Sequence, residues 1–537
     1  MWHIAVTSAL RRMMTPTALF ALFLIFVACK TDTGWAAVSV NLPLQDEAYP
    51  LLEKLAGTHF TFRNAITLKP ITRLAAAQFI AEAIRHRRDE WETIKSQEPF
   101  LDQTLQYLAN RFKPELREIG AFYQPRKPRP FIWKPIEEAT LDLIASYDPF
   151  IRYDPYGLSS QLPDMLSPDA ALSNGEDIRL RLRAASWGTL WQHVAGYIEP
   201  AVVFRSNSDD GQSVDASLYK AYLKISYVNL DLTVGREILQ WGPGFEDDIL
   251  LSRYHTPLDL ISLSTPLPFR LPGHLQSLGT WQVSVFAARL DTDFTPAPSL
   301  LSGLRATWQP ASFVQFGYTS LVQDDGDDSD IAVQDLLSRL LWAESSNDDD
   351  HLQSQAAYDI VVSLPFFRRH RFINGIRLYW QYSPDEVKKN WRLFNGRNLI
   401  GGVIDGKRWD VRFEFTETRD QYAVWYTNTT YRSGTIFRPA SLGEPIGMTV
   451  ERYMGRAAYY LAPTTWFAAD GRYERYGIEL DNDVATMQRF GVEASHQLPA
   501  GKRRLQLWGR FEYTVLSPSF DATQHGFAVH LLARWRL

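Results

Sequence analysis

The chain has 537 residues, 45% of them hydrophobic and 13% aromatic, with one cysteine, a formal charge of −5 and a mean hydropathy of −0.23. That balance is too polar for a bundle of membrane helices, and an excess of acids (61 against 56 Lys and Arg) excludes a nucleic-acid partner held by bulk charge. A single cysteine excludes a fold stapled by internal disulfides.

Residues 1–36 read as an export signal. Arg11 and Arg12 form a basic start, and the apolar stretch Thr17 to Ala28 is too short to span a bilayer. Gly34-Trp35-Ala36 places cleavage after Ala36. Phe26 stands where a lipoprotein signal prefers leucine, which makes lipidation of Cys29 the second reading.

Residues 37–124 read as a small helical periplasmic domain. Helical periodicity covers Ala48 to Ala56, Arg73 to Arg88 and Phe100 to Ile119. In the second, Leu74, Ala77, Ile80, Ala81 and Ile84 share one face, Thr72 is the expected N-cap, and Pro70 helps set the start. Two readings stay open for this domain. It is a plug or spacer, or it is a shortened module resembling an S-layer homology repeat, which implies docking on a cell-wall polymer. The second rests on Leu44 to Tyr49, on Leu52 to Gly57 and on Ile71 to Ala76. Residues 125–136, rich in proline and basic residues, read as a linker.

From residue 137 to 537 the pattern changes to strict alternation, and no long apolar run occurs. In the last strand, Phe527, Val529, Leu531, Ala533, Trp535 and Leu537 fall on one face, and Gly526, Ala528, His530, Leu532, Arg534 and Arg536 on the other. Behind an export signal, such strands imply an all-β transmembrane barrel, its apolar face toward lipid and closure satisfying every backbone group. Clear segments include Thr140–Tyr147, Asp177–Trp187, Val228–Arg236, Trp409–Thr418, Gln421–Thr430 and Arg504–Val515. About 18 antiparallel strands are expected, an even number because both barrel ends are placed on the periplasmic side. Trp187, Trp191, Trp281, Trp308, Trp380, Trp391, Trp466 and Trp508 sit where interfacial aromatic girdles belong. Tight turns are expected at Val228-Asn229-Leu230 and Gln309-Pro310-Ala311, and long connections at Ile238–Leu278 and Asp324–Leu352.

The first long connection carries the candidate site. Arg236 and Glu237 end a strand, and Gln240, Trp241, Gly242, Pro243 and Gly244 follow. Glycines on both sides of a proline make a stiff, sharp turn, and an indole beside amide, carboxylate and guanidinium groups suits a sugar ring. The same residues also suit a constriction loop folded into the lumen, with Arg236 and Glu237 as an internal ion pair.

Gly235-Arg236-Glu237, Gln240 to Gly244 and Ile249-Leu250-Leu251-Ser252, with Pro266-Leu267-Pro268 and Gly279-Thr280-Trp281 downstream, resemble the signature of the Wzi-type capsule-assembly outer-membrane proteins. The resemblance covers about residues 137–537. It implies an 18-stranded barrel in a Gram-negative outer membrane that holds or organises exported capsular polysaccharide or exopolysaccharide, without catalysis. Glu237 departs from the glutamine commoner there.

Asp324 to Asp330 and Asn347 to His351 read as solvated acidic loops rather than metal sites, because the first lacks the spaced ligands of a calcium loop. His255 and His274 belong to no nucleophile or metal motif. No catalytic residue, metal or cofactor is expected. The partners expected are a surface polysaccharide, outer-membrane lipid or lipopolysaccharide, and cell-wall polymer through the N-terminal domain. The alternative function is a carbohydrate-permeable porin anchored to the wall, and a third is an envelope enzyme.

Overall fold

The computed structural model describes residues 38–537 apart from 58–60, 62–64, 95–98, 122–129, 149–174, 208–210, 246–247, 254–256, 291–298, 325–339, 342–351, 365–371, 385–395, 420–435, 438–439, 442–449, 477–484, 501–502 and 518–521. The signal segment, Cys29, Trp391, His255, the strand expected at Gln421–Thr430 and nearly all of both acidic loops lie outside the described residues.

Eighteen strands among the described residues close into an antiparallel barrel. They are β1 (Phe131–Asp148), β2 (Gly175–Leu190), β3 (Val194–Asn207), β4 (Gly211–Tyr227), β5 (Leu230–Glu237) and β6 (Leu258–Ser264). Next come β7 (Thr280–Leu290), β8 (Ser299–Ala311), β9 (Val314–Asp324), β10 (Leu352–Leu364), β11 (Ile373–Pro384) and β12 (Gly396–Gly406). The last six are β13 (Trp409–Arg419), β14 (Val450–Ala462), β15 (Thr465–Tyr476), β16 (Ala485–Ala500), β17 (Arg503–Ser517) and β18 (Gln524–Arg536). The first and last strands pair from Glu138↔Arg536 to Tyr147↔Phe527, which closes the barrel. Closure removes every free edge, the condition for β structure in hydrocarbon.

Alternation has the expected physical meaning. On β18, Phe527, Leu531 and Trp535 are exposed on the outer wall, whereas His530 and Arg534 are buried inside. Arg179, Arg181 and Arg183 also face inward. The tight turns at Val228-Asn229, Ser312-Phe313 and Lys407-Arg408 share the end where β1 begins and β18 ends, as does the connection between β6 and β7, while the connections after β5, β9 and β11 leave from the other end.

From residue 125 onward, three expectations need correction. The linker does not run to residue 136: residues 131–136 belong to β1, and Pro135 sits at its register shift between Lys134 and Glu138, where a missing N–H costs no ladder bond. The turn expected at Gln309-Pro310-Ala311 falls one step later, at Ser312-Phe313. Pro310 instead lies in the register shift of β8 between Trp308 and Ala311, again a place that spares its absent N–H. The connection 238–278 is not one loop, because β6 interrupts it. The alternation of β6 is hidden because its buried residues Leu258 and Leu260 are as apolar as its outward Ile261 and Leu263.

Among the described residues, four helices precede the barrel: α1 (Ala48–Gly57), α2 (Arg73–Ile94), α3 (Pro99–Arg111) and α4 (Lys113–Glu118). The single helix expected over Phe100–Ile119 breaks at Phe112, with Pro114 in the first turn of α4, where proline is tolerated. Thr72 caps α2 through its hydroxyl, which accepts the Ala75 N–H at 3.0 Å.

The helices form a plug in the short-turn mouth. Their core of Leu52, Leu55, Phe79, Ile80, Leu105, Leu108 and Phe112 continues into barrel residues Leu267, Ala458, Tyr460 and Ala468. Charged contacts seat it: Lys54 Nζ donates to Asp405 Oδ1 at 3.2 Å, and Arg412 donates to Glu53 at 3.2 Å. Asp46 and Glu47 accept from Arg111 and from Arg536 on the last strand. Burial alone would raise the Asp46 carboxyl, but Arg111, Arg536 and Arg534 outweigh it and hold it far below the ordinary range. The acidic start that suggested wall docking is therefore spent on contacts within the molecule.

Candidate functional site

The site begins where β5 runs out. Asp231 and Thr233 point into the lumen, and Leu232 and Val234 point outward. Gly235 has φ 136°, and a Cβ there would lie 2.2 Å from the Ala221 carbonyl oxygen, so only glycine allows this approach of β4 to β5. Arg236 therefore emerges on the outer wall, where Nε and Nη2 donate to Asp259 at 2.7 and 2.6 Å and Nη1 to the Leu218 carbonyl at 3.1 Å. Glu237 turns inward: it accepts from Asn41 Nδ2 and from the Ile238 N–H, both at 3.0 Å, and lies 3.8 Å from Lys220 Nζ. The expected internal pair of Arg236 and Glu237 does not form, since adjacent strand residues project to opposite faces.

Beyond Glu237 the chain dives into the lumen. Gln240 and Trp241 pair with Lys69 and Leu68 of the segment between α1 and α2, and the Gly242 N–H donates to the Thr67 carbonyl at 3.0 Å. A segment entering from the short-turn end thus meets one entering from the long-loop end. Gly242 has φ 150°, and a Cβ there would lie 1.9 Å from Asp248 Oδ1. Asp248 closes the turn, accepting from Gln240 Nε2 and the Gly244 N–H, each at 2.9 Å. Burial pushes its carboxyl up to about 6, although both hydrogen bonds pull the other way.

The loop then reaches the far wall. The Phe245 N–H donates to Glu414, and the Arg412 and Arg456 guanidinia lie 4.3 and 5.3 Å from its ring. The Ile249 N–H donates to Gln381 Oε1 at 3.0 Å. Pro243 and Gly244 border a cavity of about 20 Å³ shared with Glu53, Arg377 and Arg412, room for about one water.

Trp241 is fully buried among Leu250, Leu251, Leu258, Leu260, Tyr379, Leu399 and Phe286. The stacking role expected for its indole is corrected accordingly: neither ring face is open to a sugar here. Of the seven expected residues, six gather in the lumen strut and Arg236 stands apart on the outer wall. Asp248, Phe286, Gln381 and Asn41 were missed. Asp248 lies in the same loop, four residues past Gly244, whereas Phe286, Gln381 and Asn41 lie on separate elements that no spacing in the chain links.

The lumen around the strut is lined by paired charge. Arg305 donates to Asp359 at 2.7 Å and to Thr319 at 2.6 Å, with both charged side chains wholly buried. Arg510 bridges Asp470 at 2.6 Å and Glu512 at 2.7 Å, and Arg183 reaches Glu199 at 3.2 Å.

These features define a class: an 18-stranded outer-membrane barrel whose lumen is occupied by an N-terminal helical plug and an inward loop. Residues 164–515 match the family model of the capsule assembly protein Wzi, and the chain belongs to that family. The fold is also that of a solved structure described as Wzi, an outer membrane protein involved in group 1 capsule assembly in Escherichia coli and a carbohydrate-binding β-barrel. The two share 13% identity with a TM-score of 0.63, over 92% of this chain and 98% of that one. OprD of Pseudomonas aeruginosa is more distant, at 8% identity and TM-score 0.41 over 75% of this chain and 97% of that one. OccAB2 of Acinetobacter baumannii stands at 9% and 0.42, over 74% and 97%. No curated protein matches the chain by sequence.

Proposed function

We propose that this barrel binds exported capsular polysaccharide or exopolysaccharide and organises it at the cell surface, without catalysis. The observation that carries the reading is the meeting of Leu68 and Trp241 inside the lumen. A barrel crossed by its own plug and its own loop is suited to holding a polymer rather than conducting a solute. The family match supports the same reading over a porin.

Arg236, Glu237, Gln240, Trp241, Gly242, Pro243 and Gly244 serve polymer binding from beneath in this account. They fix the strut, and the strut sets the surface above it. The non-catalytic reading draws on the E. coli relative, described as carbohydrate-binding, and on lumen carboxylates engaged in ion pairs such as Arg305–Asp359.

The direct test immobilises the purified barrel and titrates it with polymer from its own strain. Saturable binding supports the proposal. A signal no greater than that of an unrelated outer-membrane barrel overturns it.

A further inference from the structure

The outer wall carries charge at one height. On β7, Trp281 marks the short-turn edge of the apolar band, stacked on Trp308 with centroids 5.6 Å apart, and Trp308 stacks on Phe316 at 5.3 Å. Outward positions then read Val283, Val285 and Ala287 before reaching Arg289. Eight residues of a strand tilted about 40° rise roughly 20 Å, close to the ~25 Å height of an outer-membrane apolar band. The far side repeats this spacing from Trp409 to Glu417, from Tyr459 to Glu451 and from Phe467 to Arg475, and there Arg475 pairs with Glu451 at 3.0 Å. Arg289 therefore stands at the outer edge of the band, level with lipid headgroups.

Its neighbours across the ladder are in register: Arg289 faces Asp259, and Asp259 faces Arg236. The fork of Arg236 holds both Asp259 oxygens, at 2.7 and 2.6 Å. That carboxylate is thereby neutralised. Arg289 is exposed, and its side chain makes no hydrogen bond or ion pair among the described residues. The row thus keeps one uncommitted guanidinium above an apolar wall. A guanidinium presents its donors in a planar fork that fits phosphate oxygens two at a time.

We propose that Arg289, beside the fixed Arg236–Asp259 pair, is a binding site for the phosphate of an outer-leaflet lipid headgroup, the acyl chains lying along Ala287, Val285 and Val283. This site lies on the lipid side of the wall and does not depend on the polysaccharide reading.

Native mass spectrometry of the full chain in detergent, titrated with diphosphoryl lipid A, tests it. The wild-type barrel should retain the lipid, and Arg289→Gln should weaken retention about tenfold, the size of one charge-assisted contact. Arg289→Lys should retain part of the binding. Fully dephosphorylated lipid A should bind the wild-type protein about as weakly as the intact lipid binds Arg289→Gln, an arm that needs no variant to fold. Equal retention by Arg289→Gln, or equal retention of dephosphorylated lipid, overturns the proposal. Inorganic phosphate held as tightly as the lipid overturns the lipid assignment, reducing the site to a simple anion contact.

Discussion

Trp241 meets Phe286 edge-on, with ring centroids 5.1 Å apart and planes at 65°. One ring comes from the inward loop and the other from the lumen face of β7, so the contact fastens the strut to the wall. Such a pair adds to the burial of two large apolar side chains. Trp241→Ala should therefore cost about 3–5 kcal/mol of local stability. The barrel should still migrate as a folded species in unheated SDS gels, while hydrogen exchange of residues 238–257 accelerates. Surface polymer retention should fall with it, and Trp241→Phe should preserve most of both.

Arg305 and Asp359 form a wholly buried pair, and removing one partner leaves the other charged and unmatched. Asp359→Ala should destabilise the barrel by about 3–5 kcal/mol, read by urea unfolding in detergent. The double change Arg305→Met with Asp359→Leu should cost less than either single change, because no lone charge remains.

Asp248 gives the strut a pH dependence. Its folded-state value, about 6, lies above the ordinary carboxyl value, so between these limits the folded form binds a proton that the open form does not. Its stabilising contribution is fully present below about pH 4, declines as pH rises through about 6, and is level above. The protection of residues 238–257 against hydrogen exchange, taken relative to the intrinsic rate at each pH, should fall over that window in the wild type. Asp248→Asn, which can still accept the Gly244 N–H, should remove the trend.

The plug is seated by Lys54–Asp405, Glu53–Arg412 and the contacts of Arg536 with Asp46 and Glu47. Planar-bilayer recording should show low conductance for the full chain and a clear increase when residues 38–121 are deleted. High conductance of the intact protein would restore the porin reading.

Much of this architecture is legible in the chain. Outward and inward residues of β18 alternate as read, because one face must meet lipid and the other polar groups. The Gly242-Pro243-Gly244 turn was also readable, as were three of the helical stretches. The seating of the plug was not. Glu53, Lys54 and Arg73 look like the solvated face of surface helices, and their partners Arg412, Asp405 and Glu115 are placed by the fold rather than by spacing. The same holds for Trp241, where an indole beside polar groups suits a sugar as well as it suits a core, and only Phe286 and its neighbours decide.

The most direct measurement compares a deletion strain with the same strain complemented by the full chain, quantifying cell-bound and shed polysaccharide. Polymer should shift from cells to medium in the deletion strain at unchanged total yield, and complementation should restore it. An identical distribution in both strains would contradict it.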